Sequence, residues 1–401
     1  MLKDKKSSWP SFTKEEIDSV SKVLRSGKVN YWTGKECRLF EEEFCTFSNC
    51  SYSIAVSNGT VAIDLALKAL NIGKGDEVIV TSRTFLASVS CIINAGAKPV
   101  FVDISKNSQN ITPENINSAI TDKTKAILCV HLAGWPCEMD EMLFLVKKHS
   151  LYLIEDCAQA HGAAYKGKSV GSFGDIGCWS FCQDKIMTTG GEGGMVTTNN
   201  KLLWKKMWSY KDHGKSYDAV YSKNHPPGFR WLHESFGTNW RMTEMQAAIG
   251  RIQLSYMSEW TEKRNSNQNT IWETASKIKG LRVPQFSCYS CNKCNRLNKC
   301  THAAYKCYLF IEPKELKNDW TRDKIISHIN ERGVQCFSGS CSEVYLEKAF
   351  DNTNLRPSKR LSNAKELGET SLMFLVHPTL STNELNLTCK VLRNVMQKAT
   401  K

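Results

Sequence analysis

A lysine set just before a glycine-rich turn, Lys185 in the stretch from Ser180 to Gly194, is the residue in this chain best placed for covalent chemistry, and Asp156 lies upstream of it. An amine can form a Schiff base with an aldehyde, and a carboxylate can keep a pyridine nitrogen protonated as an electron sink. Lys185 and Asp156 supply these two groups, the pair that pyridoxal phosphate (PLP) requires. Each residue alone has an ordinary reading, since most lysines are solvated and a strand-end aspartate often caps the next helix. The ordered pair is what points to an enzyme.

The elements that must position these groups are legible around them. Asp156 follows the apolar run Leu151-Tyr152-Leu153-Ile154, which reads as a buried parallel strand. Its carboxylate then sits at the strand's C-terminal edge, where open α/β sheets bind ligands. A buried carboxylate is costly unless it is paired, and a pyridinium answers that cost. The phosphate of such a cofactor needs N–H groups and small hydroxyls at a helix N-terminus. Ser57-Asn58-Gly59-Thr60 opens the helical pattern Val61 to Leu70 and meets that need: Gly59 permits close approach and Thr60 offers an N–H and a hydroxyl. An ordinary N-cap is the competing reading. Phe85 follows another strand and suits stacking on a pyridine ring or burial in a core. Ser180, five residues before the lysine, adds a phosphate hydroxyl or serves as a turn serine.

Along the chain, strand-like runs alternate with helical patterns: Glu77 to Thr81, Pro99 to Asp103, Ala126 to Val130, Leu151 to Ile154, Gly177 to Phe181 and Gly194 to Thr198. This alternation predicts a mainly parallel sheet wrapped by helices. Thr84 to Ala95 fits a crossover helix, and Thr112-Pro113 a helix start. Met242 to Trp260 reads as one long helix, followed by a polar stretch and a shorter α/β pattern from about Leu281. The division expected is a large domain over residues 1–260 and a small one over 261–401, in line with a length of 401 residues.

Composition narrows the function classes. No apolar run approaches the roughly 20 residues of a membrane span, and Met1 to Pro10 has no signal-peptide core, so a cytoplasmic protein is expected. Its 17 cysteines then read as reduced thiols, mostly buried. The net charge of +13 is spread among 40 acidic residues rather than gathered into a tract, which argues against a nucleic-acid binder.

The motifs Ser57 to Ala62, Gly75 to Ile79, Thr84 to Ser88, Gly96 to Asp103, Glu155 to Gly162, Ser180 to Gly194 and Gly237 to Met242 resemble, in order and over almost the whole chain, those of the DegT/DnrJ/EryC1/StrS aminotransferases. These are PLP-dependent enzymes that aminate keto groups on nucleotide-linked sugars. The resemblance implies the aspartate aminotransferase-like fold (fold type I) and a homodimer with active sites at the subunit interface. By position, it implies Lys185 as the cofactor-bearing lysine and proton shuttle, and Asp156 at the pyridine nitrogen. Gln159 would lie beside the phenolic oxygen and Phe85 on the ring. Gly59, Thr60 and Ser180 would hold the phosphate, with Asn239 reaching it from the other subunit. The donor implied is L-glutamate.

Val334 to Phe350 and Phe374 to Pro378 resemble the subgroup that forms UDP-2-acetamido-4-amino-2,4,6-trideoxygalactose for O-antigen and capsule, which implies a UDP-linked 4-keto-6-deoxy-N-acetylhexosamine as acceptor. Many relatives carry a His-Tyr-x-x-Pro segment where this chain has Cys336 to Ser340, so their sugar contacts do not transfer. Other acceptors, C3-keto or dTDP- or GDP-linked, stay open. A PLP-dependent sugar dehydratase is disfavoured, because members that dehydrate at C3 replace the lysine with histidine. A regulatory protein that has merely kept the fold is disfavoured by the intact set of Lys185, Asp156, Gln159 and Thr60. The tract 287–300 carries Cys288, Cys291, Cys294 and Cys300, a spacing compatible with tetrahedral zinc, although zinc ribbons usually separate their Cys pairs further. A surface insertion is the alternative.

Overall fold

The structure, a computed structural model, describes residues 7–222, 224, 228, 230–286 and 299–401. Its strands are β1 (Tyr52–Val56), β2 (Glu77–Thr81), β3 (Lys98–Val102), β4 (Thr124–Val130), β5 (Tyr152–Asp156), β6 (Ala164–Tyr165), β7 (Lys168–Ser169), β8 (Ile176–Ser180), β9 (Gly194–Thr198), β10 (Leu281–Arg282), β11 (Cys307–Ile311), β12 (Cys336–Phe337) and β13 (Ser371–Phe374). The helices are α1 (Lys14–Ser26), α2 (Glu36–Ser48), α3 (Gly59–Ala69), α4 (Ala87–Asn94), α5 (Pro113–Ala119), α6 (Met139–His149), α7 (Lys201–Lys211), α8 (Tyr217–Tyr221), α9 (Glu244–Ser255), α10 (Met257–Ala275), α11 (Arg322–Asn330), α12 (Ser362–Thr370) and α13 (Thr382–Ala399).

Seven strands form the main sheet in the order β1-β9-β8-β5-β4-β2-β3. From β3 through β8 every pairing is parallel, while β9 runs antiparallel to both β8 and β1. Every residue of β2, β8 and β9 is buried, as strands covered on both faces must be. Alternate residues of β4 enter different cores: Ala126, Leu128 and Val130 pack with α3 and α4, whereas Ile127 and Cys129 pack with α6. The fold is the expected fold type I arrangement, a mainly parallel sheet between helices.

A second sheet, β10-β11-β13-β12, is wholly antiparallel. Its strand β11 joins the two halves of the molecule. Leu309 and Ile311 pack with α10, α11 and α13, while Tyr308 and Phe310 pack into the core under α6.

Two expectations are corrected here. The helix expected over Met242 to Trp260 is two helices, α9 and α10, broken at Tyr256. The polar stretch expected after residue 260 is the continuation of α10. Its buried face carries Arg264, Asn267 and Gln268 beside Ile271 and Ala275, so hydrophobic periodicity could not reveal it. Cys288, Cys291 and Cys294 lie outside the described residues. Cys300 is buried, and its sulfur accepts the Lys166 N–H at 3.4 Å. Most described cysteines are buried, as expected. No helix among the described residues is long and apolar enough to cross a membrane.

Candidate active site

One cavity of about 1280 Å³ opens at the C-terminal ends of β5 and β8, and its wall includes Gly59, Thr60, Phe85, Asp156, Gln159, Ser180 and Lys185. Residues spread over more than a hundred positions of sequence therefore meet at one sheet edge. Asn239 is the exception. It is exposed and lies outside this cavity, on a segment bridged to Asp212 and running beside the end of β1.

Asp156 is the last residue of β5 and is 5% exposed. The Ser88 hydroxyl donates to its Oδ2 at 2.7 Å and the Ala158 N–H to its Oδ1 at 3.0 Å. Both donors are neutral, and no lysine, arginine or histidine among the described residues forms an ion pair with it. A buried carboxylate without a cation is incomplete, and a protonated ring nitrogen would complete it.

The neighbouring residue locks this strand end in place. Glu155 accepts the N–H groups of Gly171, Phe173 and Gly174 at 2.7 to 2.8 Å, and its Oε2 lies 3.0 Å from His131 Nε2. Against the penalty of full burial, His131 and these N–H groups hold its carboxyl below the usual range. Because the Cys137 N–H donates to His131 Nδ1, the ring proton belongs on Nε2, facing Glu155.

Lys185 rides on the loop between β8 and β9. Its N–H donates to the Cys182 carbonyl at 3.0 Å, and the Trp9 indole N–H donates to its carbonyl at 2.8 Å. The loop is fixed from below, where the Thr188 N–H donates to Gln253 Oε1 of α9 at 2.8 Å and the Thr188 hydroxyl to the Phe181 carbonyl at 2.9 Å. The chain then turns back through Gly191 at φ 126°, a conformation that excludes other residues. The Lys185 ammonium lies 5.3 Å from the centre of the Tyr305 ring.

At the opposite wall, α3 points its N-terminus into the cavity. Asn58 caps it, taking the Val61 N–H at 2.9 Å, while the N–H groups of Gly59 and Thr60 have no acceptor within the helix. A Cβ on residue 59 would stand 2.5 Å from Ser180 Cβ, so only glycine lets the helix come this close to the end of β8. The result is a small cradle of N–H groups and hydroxyls that suits a phosphate. Phe85, 71% exposed, belongs to the cavity wall and not to the core. Gln159 is buried, and its Oε1 accepts the Ala133 N–H at 2.9 Å. The donor set therefore fits PLP at both ends: a cationic nitrogen at Asp156 and an anion at α3.

Several cavity residues carry no role legible in the sequence, although Ser88 and His377 fall within the motifs Thr84 to Ser88 and Phe374 to Pro378. Ser88, Trp9, Arg264, Tyr305, Lys306 and His377 all line the cavity, the last five from the N-terminal arm, α10 and the region of the second sheet. The motif that holds Ser88 does not reveal its bond to Asp156, which joins two separate elements. Arg264, which follows Lys263, and Lys306 are basic residues that sequence alone cannot tell from solvated ones.

A family model described as the DegT/DnrJ/EryC1/StrS aminotransferase family matches residues 10–393. The solved structure of an aminotransferase from Psychrobacter cryohalolentis is similar over 98% of this chain and 99% of its own, with 61% identity and a TM-score of 0.94. GDP-perosamine synthase of Escherichia coli O157:H7 is 43% identical over 255 residues, 64% of this chain and 67% of the relative. A dTDP-3-amino-3,4,6-trideoxy-alpha-D-glucose transaminase of Streptomyces venezuelae is 30% identical over 94% of this chain and 91% of its own.

Proposed function

Because the chain belongs to the DegT/DnrJ/EryC1/StrS aminotransferase family, we propose that it transfers the amino group of L-glutamate to a keto group of a nucleotide-linked sugar, with PLP as its cofactor. The observation that carries this reading is the meeting of Lys185, Asp156, Ser180 and the α3 N-terminus in one cavity. PLP, when bound, supplies the aldehyde that receives the amine and the ring that accepts electrons.

The chain's own residues do the rest. Asp156 would hold a positive charge at the ring nitrogen of bound PLP. The Gly59 and Thr60 N–H groups and the Ser180 hydroxyl would bind its phosphate. Phe85 would cover the ring and Gln159 would lie beside its oxygen. Lys185 Nζ takes the proton that leaves the donor's α-carbon and delivers it in the next step, and the same transfers run in reverse on the sugar. Asn239 faces outward and serves the phosphate of a partner subunit in a homodimer. The division into a large domain over 1–260 and a small one over 261–401 is retained as a functional division, with the cavity drawing residues from both.

The acceptor proposed is a UDP-linked 4-keto-6-deoxy-N-acetylhexosamine, aminated for O-antigen or capsule polysaccharide. The resemblance of Val334 to Phe350 and Phe374 to Pro378 supports it. Relatives named for GDP- and dTDP-linked sugars make the nucleotide the point to test. Purified protein with L-glutamate and UDP-4-keto-6-deoxy-GlcNAc is expected to give a 4-amino sugar by mass spectrometry. No such product, or product only from GDP- or dTDP-linked keto-sugars run in parallel, would sink the UDP assignment.

The phosphate cradle gives a separate prediction. Gly59→Ala drives a methyl against Ser180 and is expected to weaken PLP binding by about 10-fold or more while costing about 1–3 kcal/mol of stability. Fluorescence titration of the apoprotein with PLP measures the first and thermal melting the second. Unchanged PLP affinity would remove α3 from the phosphate site.

A further inference from the structure

Asn239 is exposed and lies outside the cavity, yet the backbone on either side of it is fixed. The Thr238 N–H donates to the Tyr210 carbonyl at 2.8 Å, the Trp240 N–H to the Lys211 carbonyl at 3.0 Å, and the Trp240 carbonyl accepts the Ser57 N–H at 3.0 Å. The His213 N–H donates back to the Thr238 carbonyl at 2.9 Å, and Asp212 bridges Asn239. Two glycines let these segments touch, since a Cβ on residue 237 would stand 2.4 Å from the Gly214 nitrogen.

The side chain that grips this segment is Asp212, wholly buried at the end of α7. Its Oδ1 accepts from Arg241 Nη1 and from Lys215 Nζ, each at 2.7 Å, and its Oδ2 accepts the Trp32 indole N–H at 2.8 Å. Burial would raise this carboxyl, but Lys215 and Arg241, with Lys211 nearby, hold it below the usual range. Arg241 bridges Val56 at the end of β1. Its side chain is 14% exposed and that of Lys215 is 7% exposed, so neither can turn to water if the carboxylate is neutralised. Two buried cations would then share one neutral acceptor, and the Arg241 end of the segment would be released. Asp212 itself lines no part of the cavity.

We propose that Asp212 is a positioning residue for the neighbouring subunit's site: by gripping Arg241 it fixes the segment that presents Asn239 to the partner subunit's cofactor phosphate. The inference rests on the shared-site reading of Asn239 and deepens it, by naming the group in the donating protomer on which the partner's phosphate site depends. The bond from Ser57 to Trp240 also ties this segment to the phosphate cradle of its own chain. An effect confined to one protomer is therefore the rival, and the experiment separates the two.

Titration of the apoprotein with PLP, read by the visible band that only a site with Lys185 gives, measures cofactor affinity apart from turnover. Asp212→Asn is expected to weaken that affinity by about 10-fold or more, and Asp212→Glu, which keeps the charge, by less. Mixed dimers, co-expressed with two tags and purified on both, then assign the defect to a subunit. When Asp212→Asn is paired with Lys185→Ala, the one band-forming site receives Asn239 from a chain whose Asp212 is intact, so its affinity should return to within about 2-fold of the unmodified protein. When both changes sit on one chain beside an unmodified partner, the remaining Lys185 site receives a poorly held Asn239 and its affinity should stay low. Arg241→Met carries the same comparison if Asp212→Asn does not fold. Unaltered affinity in the Asp212→Asn homodimer overturns the proposal. So does a first pairing that stays weak while the second is normal, which makes Asp212 a group serving only its own chain. Asn239→Ala in the same two pairings tests the shared site itself. If it follows its own chain, or leaves PLP affinity unchanged, the shared-site reading falls and the proposal with it. If Asn239→Ala follows the partner and Asp212→Asn does not, the proposal alone fails.

Discussion

Lys185→Ala is expected to abolish transamination, with a fall of at least about 10,000-fold, and to leave the fold intact. The large effect follows from the double duty proposed for one atom, since Nζ both carries the cofactor and moves the proton. The small structural effect follows from where the residue's bonds lie. Its hydrogen bonds to Cys182 and Trp9 run through the backbone and survive the substitution, while the side chain contributes a 5.3 Å approach to Tyr305. Stability should therefore change by no more than about 1 kcal/mol. Single-turnover assays and thermal melting test the two halves together. Retained transamination in a well-folded variant would overturn the role given to Lys185.

Asp156→Asn should come second, with a loss of about 100- to 1000-fold in turnover. The substitution keeps the shape. The asparagine oxygen can still accept the Ala158 N–H, and its NH2 can donate to Ser88, whose hydroxyl is free to turn toward Thr84 Oγ1 at 2.8 Å. Only the charge is removed, so the variant isolates the electrostatic contribution to holding a protonated ring nitrogen. Steady-state kinetics with L-glutamate, alongside a melt showing a native-like fold, measures it. A rate near that of the unmodified protein would mean that Asp156 is a structural acceptor for Ser88 and nothing more.

Much of this could be read from the chain because the relevant signals are local. The parallel strands are continuous apolar runs, Asn58 and Thr112 announce helix starts, and Gly190-Gly191 marks the turn after the lysine. Phe85 needed the fold, because only the sheet edge distinguishes a wall aromatic from a core one. Helix α10 escaped because its buried face is polar: Arg264 and Gln268 look solvent-facing until the elements around them are known. The same blindness hid Arg264 and Lys306, whose place in the cavity wall no spacing in the sequence marks. Ser88 was visible within a motif, but its bond to Asp156 crosses from α4 to β5 and belongs to tertiary structure.

The measurement that bears most directly on the central claim is the absorbance of the purified, PLP-loaded protein on adding L-glutamate. The account predicts a visible band that falls on addition, with 2-oxoglutarate released in proportion to the sites, and that returns when a keto-sugar nucleotide follows. Lys185→Ala should show no such cycle. A protein that binds no PLP, or whose band is indifferent to glutamate and other amino acids, would contradict the account at its base.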